Sequence, residues 1–449
     1  MFILPIVDHY LLYAPLCNLA ALTDRVAVWR LRDALFTARN TGIGPLDDIL
    51  STLRGGAGPA PLPRQGPLEP VLLGLIPTRN CNLACEYCGF LDPDGANQIM
   101  DLSLAREAIA WYLDLVHRSK VQTTEVHFFG GEPFCAEEVL DFAFHFARIR
   151  ARELDCAVRF EVVTNGTFSE DRCRWAADSL DTIILSLDGP ADIQDRYRPR
   201  KDGRGSFTTL ARNAQILSEG SAELAFRVCV TSETVDQMPD IATWLCQSFR
   251  PVTVCFEPVQ PTPQSTSAGL FPPDPWAFAW RFIQAARILE HYAVEPVYAA
   301  ADITARQMSF CPVGQDGVIV SPDGTLTACY LPRKEWEAKG LSLCLGRMEN
   351  GSPCLDDEAI EAARRLNVWN KPFCARCFCQ WHCAGGCHVH HELPNSPGTY
   401  DPLCIQTRLI AVRNILATLN RDDLTPLLWQ HPEALQRLAG QHSDLLADF

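Results

Sequence analysis

The stretch TRNCNLACEYCGF, residues 78–90, places Cys81, Cys85 and Cys88 in a CxxxCxxC spacing. A strand-like apolar run, residues 71–77, leads into it. Three thiolates on one short loop are one fewer than a cubane 4Fe–4S cluster needs, which leaves one iron free to bind something else. The competing reading is a structural zinc site. Zinc prefers four ligands in a closed set, usually paired CxxC or Cys/His motifs, and no fourth ligand lies close in sequence.

Beyond the loop, strand-like runs recur at 123–129, 158–164, 182–188, 223–231 and 252–258. Helical patterns lie between them. Val139, Phe142, Phe146 and Ile149 recur at i, i+3, i+7 and i+10, and so do Phe207, Leu210, Ala214 and Leu217. Six β/α units in series predict an α/β fold with a parallel sheet and helices outside it. In such sheets chemistry gathers at the C-terminal ends of the strands. FGGEP (129–133), TNGT (164–167), SLDGP (186–190) and FEPV (256–259) all stand at those ends. Arg227, on the fifth strand, is either a second cation at the site or a solvated or core-pairing residue. A helix over 273–291 carries Trp276, Phe278, Trp280 and Phe282, read as core.

Ahead of the loop, residues 1–55 read as a small α/β module. FILPIV and YLLYAP give two short strands, with helices over 24–38 and 46–53. Residues 56–69, rich in Pro and Gly, read as a linker. A chain of 449 residues, 47% of them hydrophobic, is long enough for one large core plus smaller modules. Its net charge of −15 argues against a nucleic-acid backbone as partner. No apolar run is long enough to span a membrane. The N-terminus lacks the basic region of a signal peptide. The 20 cysteines then point to reduced thiols that serve metals, in the cytoplasm.

A strand, then CxxxCxxC, then GGEP closely resembles the radical S-adenosylmethionine (radical SAM) superfamily. The resemblance implies a partial (β/α)6 barrel over residues 70–305. It implies a 4Fe–4S cluster on Cys81, Cys85 and Cys88, with the fourth iron chelated by SAM. It also implies the chemistry: electron transfer cleaves SAM to methionine and a 5′-deoxyadenosyl radical. SAM contacts are expected from Tyr87, Gly130, Gly131, Glu132 and Pro133, with Glu132 on the amino group. Ser186 and Asp188 on the fourth strand are expected to follow. Asn165 is either a contact or a turn residue. In QDRYRP (194–199), Arg198 holds the Arg position of the family's HDxxR run and is expected on the SAM carboxylate; Gln194 replaces the usual His.

The second signal is a cysteine field. Cys311 is followed by Gly324 and Cys329; later come Cys374-x2-Cys377-x5-Cys383-x3-Cys387 and then Cys404. This matches the SPASM pattern at every position. SPASM domains hold two auxiliary 4Fe–4S clusters, so the chain resembles a three-cluster enzyme with its SPASM domain at 306–405 and a helical tail at 406–449. By position, Cys374, Cys377, Cys383 and Cys404 are expected on one auxiliary cluster. Cys311, Cys329 and Cys387 are expected on the other, with Cys344 as its fourth ligand; Cys354, Cys379 or an open iron are the alternatives. A hairpin over 317–329, turning at Pro-Asp-Gly, is expected to bring Cys311 and Cys329 together. A zinc array is the competing reading. The run HVHH (388–391) reads as a surface run beside the cluster.

SPASM relatives mainly modify peptides and proteins. The resemblance therefore implies a maturase of a ribosomally made precursor peptide that installs a cross-link or an oxidation. A low-potential flavodoxin or ferredoxin is the expected electron donor. Residues 1–55 have the make-up of a module that holds a leader peptide by strand addition, or else of a structural cap. The alternative activity is an anaerobic sulfatase-type maturase that makes formylglycine. Such enzymes carry an Asp base just after the cysteine that corresponds to Cys329, where this chain has Tyr330. A non-catalytic, partner-binding iron–sulfur protein is the alternative of another class. Glu257, Tyr330, Asp316 and His127 are the candidate bases.

Overall fold

A computed structural model describes residues 1–90, 98–391 and 401–440. The chain forms two compact units. One comprises Arg64–Tyr298 and Cys311–Leu366; the other comprises Met1–Pro63, Ala299–Phe310 and Asn367–Phe449. This departs from the expected division. The segment 306–405 is split: its hairpin region belongs with the sheet, while the CX2CX5CX3C run belongs with the N-terminal module. The last nine residues of the expected tail, 441–449, lie outside the described residues.

The larger unit is built on one sheet. Its strands are β1 (Leu73–Leu75), β2 (Thr123–Phe128), β3 (Ala157–Thr164), β4 (Thr182–Ser186), β5 (Glu223–Val230) and β6 (Thr253–Pro258). These six neighbour one another in chain order, and each pair is parallel. β7 (Glu295–Val297) adds in parallel beyond β6. β8 (Val318–Val320) adds in parallel beside β1, and β9 (Thr325–Thr327), β10 (Cys344–Glu349) and β11 (Ser352–Leu355) continue antiparallel from it. Among the described residues the sheet thus has eleven strands, with β7 and β11 at its two ends. The expected hairpin is β8–β9, closed by a bond from Gly324 N–H to Ser321 O (2.9 Å), with Gly324 at φ +84°.

Each central strand has two unlike faces. Val126 and Phe128, Phe160 and Val162, Leu224, Phe226, Val228 and Val230, and Val254 and Phe256 are buried against the helices. The opposite face carries Glu125, His127, Glu161, Arg227, Cys229, Cys255 and Glu257. A parallel sheet covered by apolar layers on both sides would be hydrophobic on both faces. Here one face is kept polar.

The outer layer includes α1 (Leu102–Arg118), α2 (Glu137–Glu153), α3 (Glu170–Ser179), α4 (Ala191–Tyr197), α5 (Phe207–Glu219), α6 (Met238–Ser248) and α7 (Pro275–His291). In α2 the buried face is Val139, Leu140, Ala143, Phe144, Ala147 and Ala151. Phe142 and Phe146 stack on each other, 5.7 Å apart, on the flank, and Ile149 is exposed. In α7, Phe278 and Phe282 are buried as expected, whereas Trp276 and Trp280 are half-buried.

The smaller unit opens with an antiparallel three-stranded sheet, Phe2–Ile6, His9–Ala14 and Leu19–Thr23, followed by helices Arg25–Thr37 and Gly44–Arg54. The third strand was not expected. Met308, Val368, Cys374, Trp381 and Ala384 form a buried cluster, with Leu16 and Ala60 packed against it. The helix Pro402–Thr418 is buried on most sides.

Candidate active site

The cysteine loop leaves β1 at the C-terminal edge of the parallel strands. Two glycines hold the next strand end against it. Gly131 N–H donates to Thr78 O (3.1 Å), and Glu132 N–H donates to Asn80 O (2.7 Å). A Cβ on Gly131 would lie 2.2 Å from the Asn80 carbonyl oxygen, and one on Gly130 would lie 2.7 Å from that of Thr78. The glycines of the GGEP motif therefore permit backbone-to-backbone approach.

Glu132 is buried and held by three donors: Thr164 Oγ1 (2.7 Å), Asn165 N–H (2.7 Å) and Phe134 N–H (3.1 Å). Burial raises its pKa to about 7, against the pull of those three bonds. Its carboxylate joins the ends of β2 and β3. Asn165 sits in the turn that follows β3. Its Oδ1 accepts from Thr167 N–H (2.9 Å) in a turn, while its amide nitrogen donates to Asn82 Oδ1 (2.8 Å) and to Cys81 Sγ (3.6 Å).

Asp188 and Arg198 meet each other. Arg198 Nε lies 2.9 Å from Asp188 Oδ2 and Nη2 lies 3.1 Å from Oδ1. Asp188 is wholly buried and also accepts from Cys229 N–H (3.0 Å) and from the Tyr87 hydroxyl. The bidentate face of Arg198 expected on the SAM carboxylate is thus taken by Asp188. Gln194, in place of the family's His, accepts from Asp188 N–H (2.9 Å) and fixes the same strand end. Ser186 is buried at the end of β4, paired in register with Arg227.

The three thiols form no disulfide. Burial pushes Cys81 and Cys85 up to about 12, so the loop holds protonated thiols that would exchange their protons for a metal centre. Leu83 N–H and the Asn165 amide both point at Cys81 Sγ (3.4 and 3.6 Å). Donors on a sulfur suit a thiolate ligand. Among the described residues no three Cys, His, Asp or Glu side chains converge on the position of a single metal ion. A cubane asks for a wider frame, because each thiolate binds a separate iron. The residues present fit such a cluster with one open iron.

The candidate bases divide. Asp316 is locked in a buried bidentate pair with Arg364 (2.7 and 2.8 Å) and accepts from Glu69 N–H (3.0 Å), which removes it from the list. His127 lies on the polar face between Glu125 (2.8 Å) and Glu161 (3.4 Å); burial disfavours its charge, but the carboxylates prevail and its pKa is raised. Glu257 accepts from Cys255 Sγ (3.4 Å). Tyr330 packs at a tilt against Phe129 (4.7 Å), and Phe129 meets Phe90 edge-on (4.7 Å). The Tyr330 hydroxyl is buried with no hydrogen-bond partner among the described residues, and only a glycine at position 74 leaves it room.

The second cysteine group lies in the smaller unit. Cys374, Cys377, Cys383 and Cys404 line one cavity, together with Cys379, His391 and Arg408. Cys379, expected as an alternative ligand of the other cluster, thus lines the cavity of these four. Arg408 Nη1 donates to Cys377 Sγ (3.6 Å). The Cys377 thiol is lowered by its hydrogen bond from Cys379, against burial and with help from Arg408; burial pushes Cys374 and Cys383 up to about 12. His391, expected at the surface, is buried: its Nδ1 is 2.8 Å from Gly385 O and its Nε2 is 3.5 Å from Cys404 Sγ. Arg408 was missed by sequence reasoning, although it stands one helical turn from Cys404. Cys344 lies on β10 opposite Thr327, two residues before Cys329. Cys311, Cys329 and Cys344 belong to the larger unit and Cys387 to the smaller one. Their grouping rests on sequence spacing. Cys354 is exposed on β11.

Residues 75–245 match the profile of the Radical SAM superfamily. A cysteine-type anaerobic sulfatase-maturating enzyme of Clostridium novyi is 26% identical over 202 residues, which is 43% of this chain and 54% of the relative. An uncharacterized protein of Methanocaldococcus jannaschii is 25% identical over 189 residues, 41% of this chain and 61% of that protein. The chain thus spans little more than half the length of these relatives. Among solved structures, anSMEcpe with bound AdoMet superposes with a TM-score of 0.61 at 16% identity, over 78% of this chain and 99% of that one. Streptococcus suis SuiB bound to S-adenosylmethionine gives 0.51 at 14% identity, over 72% and 74%. At such identities the superpositions speak for the fold. The cysteine loop, the glycine turn and the strand ends that frame them all fall inside residues 75–245, the part of the chain that matches the Radical SAM superfamily.

Proposed function

We propose that the chain is a radical SAM/SPASM maturase that acts on a residue of a ribosomally made precursor peptide, installing a cross-link or an oxidation. The observation that carries this reading is the pairing of two cysteine systems, the Cys81–Cys85–Cys88 loop and the four-cysteine cavity of the smaller unit. Bound at the loop, a reduced 4Fe–4S cluster and SAM supply a 5′-deoxyadenosyl radical that takes a hydrogen atom. The chain's own residues do the rest. Gly130 and Gly131 bring the strand end close to the loop, and Glu132 and Asn165 hold its geometry. Pro133 and Ser186 sit at the strand ends where SAM would lie. The polar face of the sheet, with His127, Glu161, Glu257 and the Tyr330 hydroxyl, offers donors and acceptors to orient the target residue and to take its proton. Holding the target in place is most of the catalysis, since the radical must meet one hydrogen and little else.

In this reading Cys374, Cys377, Cys383 and Cys404 hold one auxiliary cluster. By sequence spacing, Cys311, Cys329 and Cys344 would hold the other. Held there, they would supply an acceptor for the electron left on the substrate, with a flavodoxin or ferredoxin as the first electron donor, in the cytoplasm. No helix of the described residues is long and apolar enough to cross a membrane. The test is mass spectrometry of a precursor peptide encoded beside the gene and coexpressed anaerobically with the chain. Loss of hydrogen pairs that depends on Cys81, Cys85 and Cys88 is expected. An unmodified peptide, with 5′-deoxyadenosine still produced, would send the search to protein substrates.

A second reading, formylglycine formation, is favoured by the sulfatase-maturating relatives. Against it stands Tyr330, a buried phenol whose pKa burial raises, at the position where a carboxylate base is expected. A Cys- or Ser-containing sulfatase peptide, incubated with the reduced enzyme and SAM, separates the two readings.

A further inference from the structure

The cysteine loop runs alongside a second segment. Ala84 N–H donates to Pro199 O (2.8 Å), Glu86 N–H to Tyr197 O (3.0 Å) and Lys201 N–H to Asn82 O (3.2 Å), with an antiparallel bridge between Leu83 and Arg200. This register sets Arg198 opposite Cys85. The Arg198 side chain turns under the loop, where its fork engages Asp188 and its guanidinium lies 5.2 Å from the centre of the Tyr87 ring. It also reaches the Cys85 thiol. Tyr87, two residues after Cys85, closes the set with its hydroxyl on Asp188. Asp188 is fully buried and Arg198 is nearly so. Two opposite charges thus sit beneath one cluster-bearing cysteine, where water does not screen them.

We propose that Tyr87, Asp188 and Arg198 are positioning residues for the cysteine loop, and that the Asp188–Arg198 pair sets the reduction potential of the cluster that Cys81, Cys85 and Cys88 would hold. The inference rests on the cluster reading above. Hydrogen bonds and charges near the sulfurs are what a protein uses to shift such a potential. Reduction adds one negative charge to the cluster. The Arg198 cation beside Cys85 favours that charge, and Asp188 offsets the cation. The two residues therefore act with opposite signs.

The experiment uses the full chain, reconstituted anaerobically with iron and sulfide. The electron paramagnetic resonance signal that changes on SAM addition marks the loop cluster and is followed through a redox titration. Asp188→Asn leaves the cation unbalanced and is expected to raise the potential. Arg198→Gln leaves the carboxylate unbalanced and is expected to lower it. Each is expected to move the reduction equilibrium about tenfold, equivalent to ~59 mV for one electron. Should Arg198→Gln fail to load iron, Arg198→Lys keeps the charge and gives the same comparison: a wild-type potential for Lys beside a raised one for Asn. Shifts of one sign in both charge-removing variants, or none in either at full iron content, would overturn the inference alone. A wild-type chain with iron but no SAM-sensitive signal would instead sink the cluster reading on which it stands.

Discussion

Asp316 shows how a carboxylate that looks catalytic in sequence becomes structural in the fold. It lies in a left-handed turn ahead of β8 (φ +62°), and its partner Arg364 also donates to Gly66 O (2.7 Å) and Pro67 O (3.1 Å). One buried pair thus ties the chain entering the sheet to the segment before the hairpin. Asp316→Ala leaves the buried Arg364 guanidinium with the exposed Glu361 carboxylate (2.8 Å) as its anion and is expected to destabilise the larger unit by about 3 kcal/mol. Thermal unfolding should fall by roughly 10 °C, given about 2–4 °C per kcal/mol for a unit of this size. An unchanged midpoint would show the pair to be dispensable. Glu132 has the opposite character. With its folded pKa raised to about 7, it holds a proton more tightly in the folded chain than in the unfolded one. Its contribution therefore favours the folded state at pH below the ordinary carboxylate range and is lost as pH rises through about 7. In SAM-free protein, stability should drop by roughly 3 kcal/mol between about pH 4 and 8 on this account, from 1.36 kcal/mol per pH unit of displacement. Glu132→Gln, which does not titrate, should flatten that slope in denaturant titrations across the range. An equal slope in the variant would assign the effect elsewhere.

At the scale of elements, the glycine turn after β2 is the part least tolerant of change. Gly131→Ala sets a methyl group against two carbonyl oxygens, those of Asn80 at 2.2 Å and Arg79 at 2.5 Å, and both are backbone atoms that cannot rotate away. Relief has to come from moving Asn80, the neighbour of Cys81. The expected cost is about 1–3 kcal/mol, as for an overpacked core, together with loss of the SAM-sensitive cluster signal while the other iron remains. Retention of that signal would mean the turn can yield without disturbing the loop. The six central strands were legible because their buried residues alternate and turn signals bound them. The helices were legible by period, but not always by face. In α2 the large Phe142 and Phe146 suggested the inner stripe, and the structure instead buries Ala143, Ala147 and Ala151, small residues that let the helix approach the sheet closely. β7 escaped notice because three residues carry no readable period. The 197–201 ladder escaped too, since a segment whose hydrogen bonds all go to a distant loop leaves no local pattern.

At the scale of the molecule, the cysteine spacings carried more than the periodicities did. Ligand spacing reflects a covalent requirement, which survives in sequence however the chain is routed; domain boundaries reflect burial between distant segments, which does not. So the four cysteines Cys374, Cys377, Cys383 and Cys404 could be grouped in advance, and they line one cavity. The expected single body over 306–405 could not foresee that Asn367 onward would share a unit with residues 1–63. That division makes a last prediction. The loop cysteines and the cavity cysteines belong to different units, and the ligand set read for each site lies wholly within its own unit. Replacing Cys374, Cys377 and Cys383 by Ala is therefore expected to remove about four irons per chain while the SAM-sensitive signal persists. Replacing Cys81, Cys85 and Cys88 is expected to remove a similar amount and abolish that signal, with the remaining iron still reducible. Iron analysis with Mössbauer spectroscopy on both triple variants decides it. Collapse of all iron in either one would mean that the two sites depend on each other for assembly, and the units would then have to be regarded as one cooperative metal-binding body.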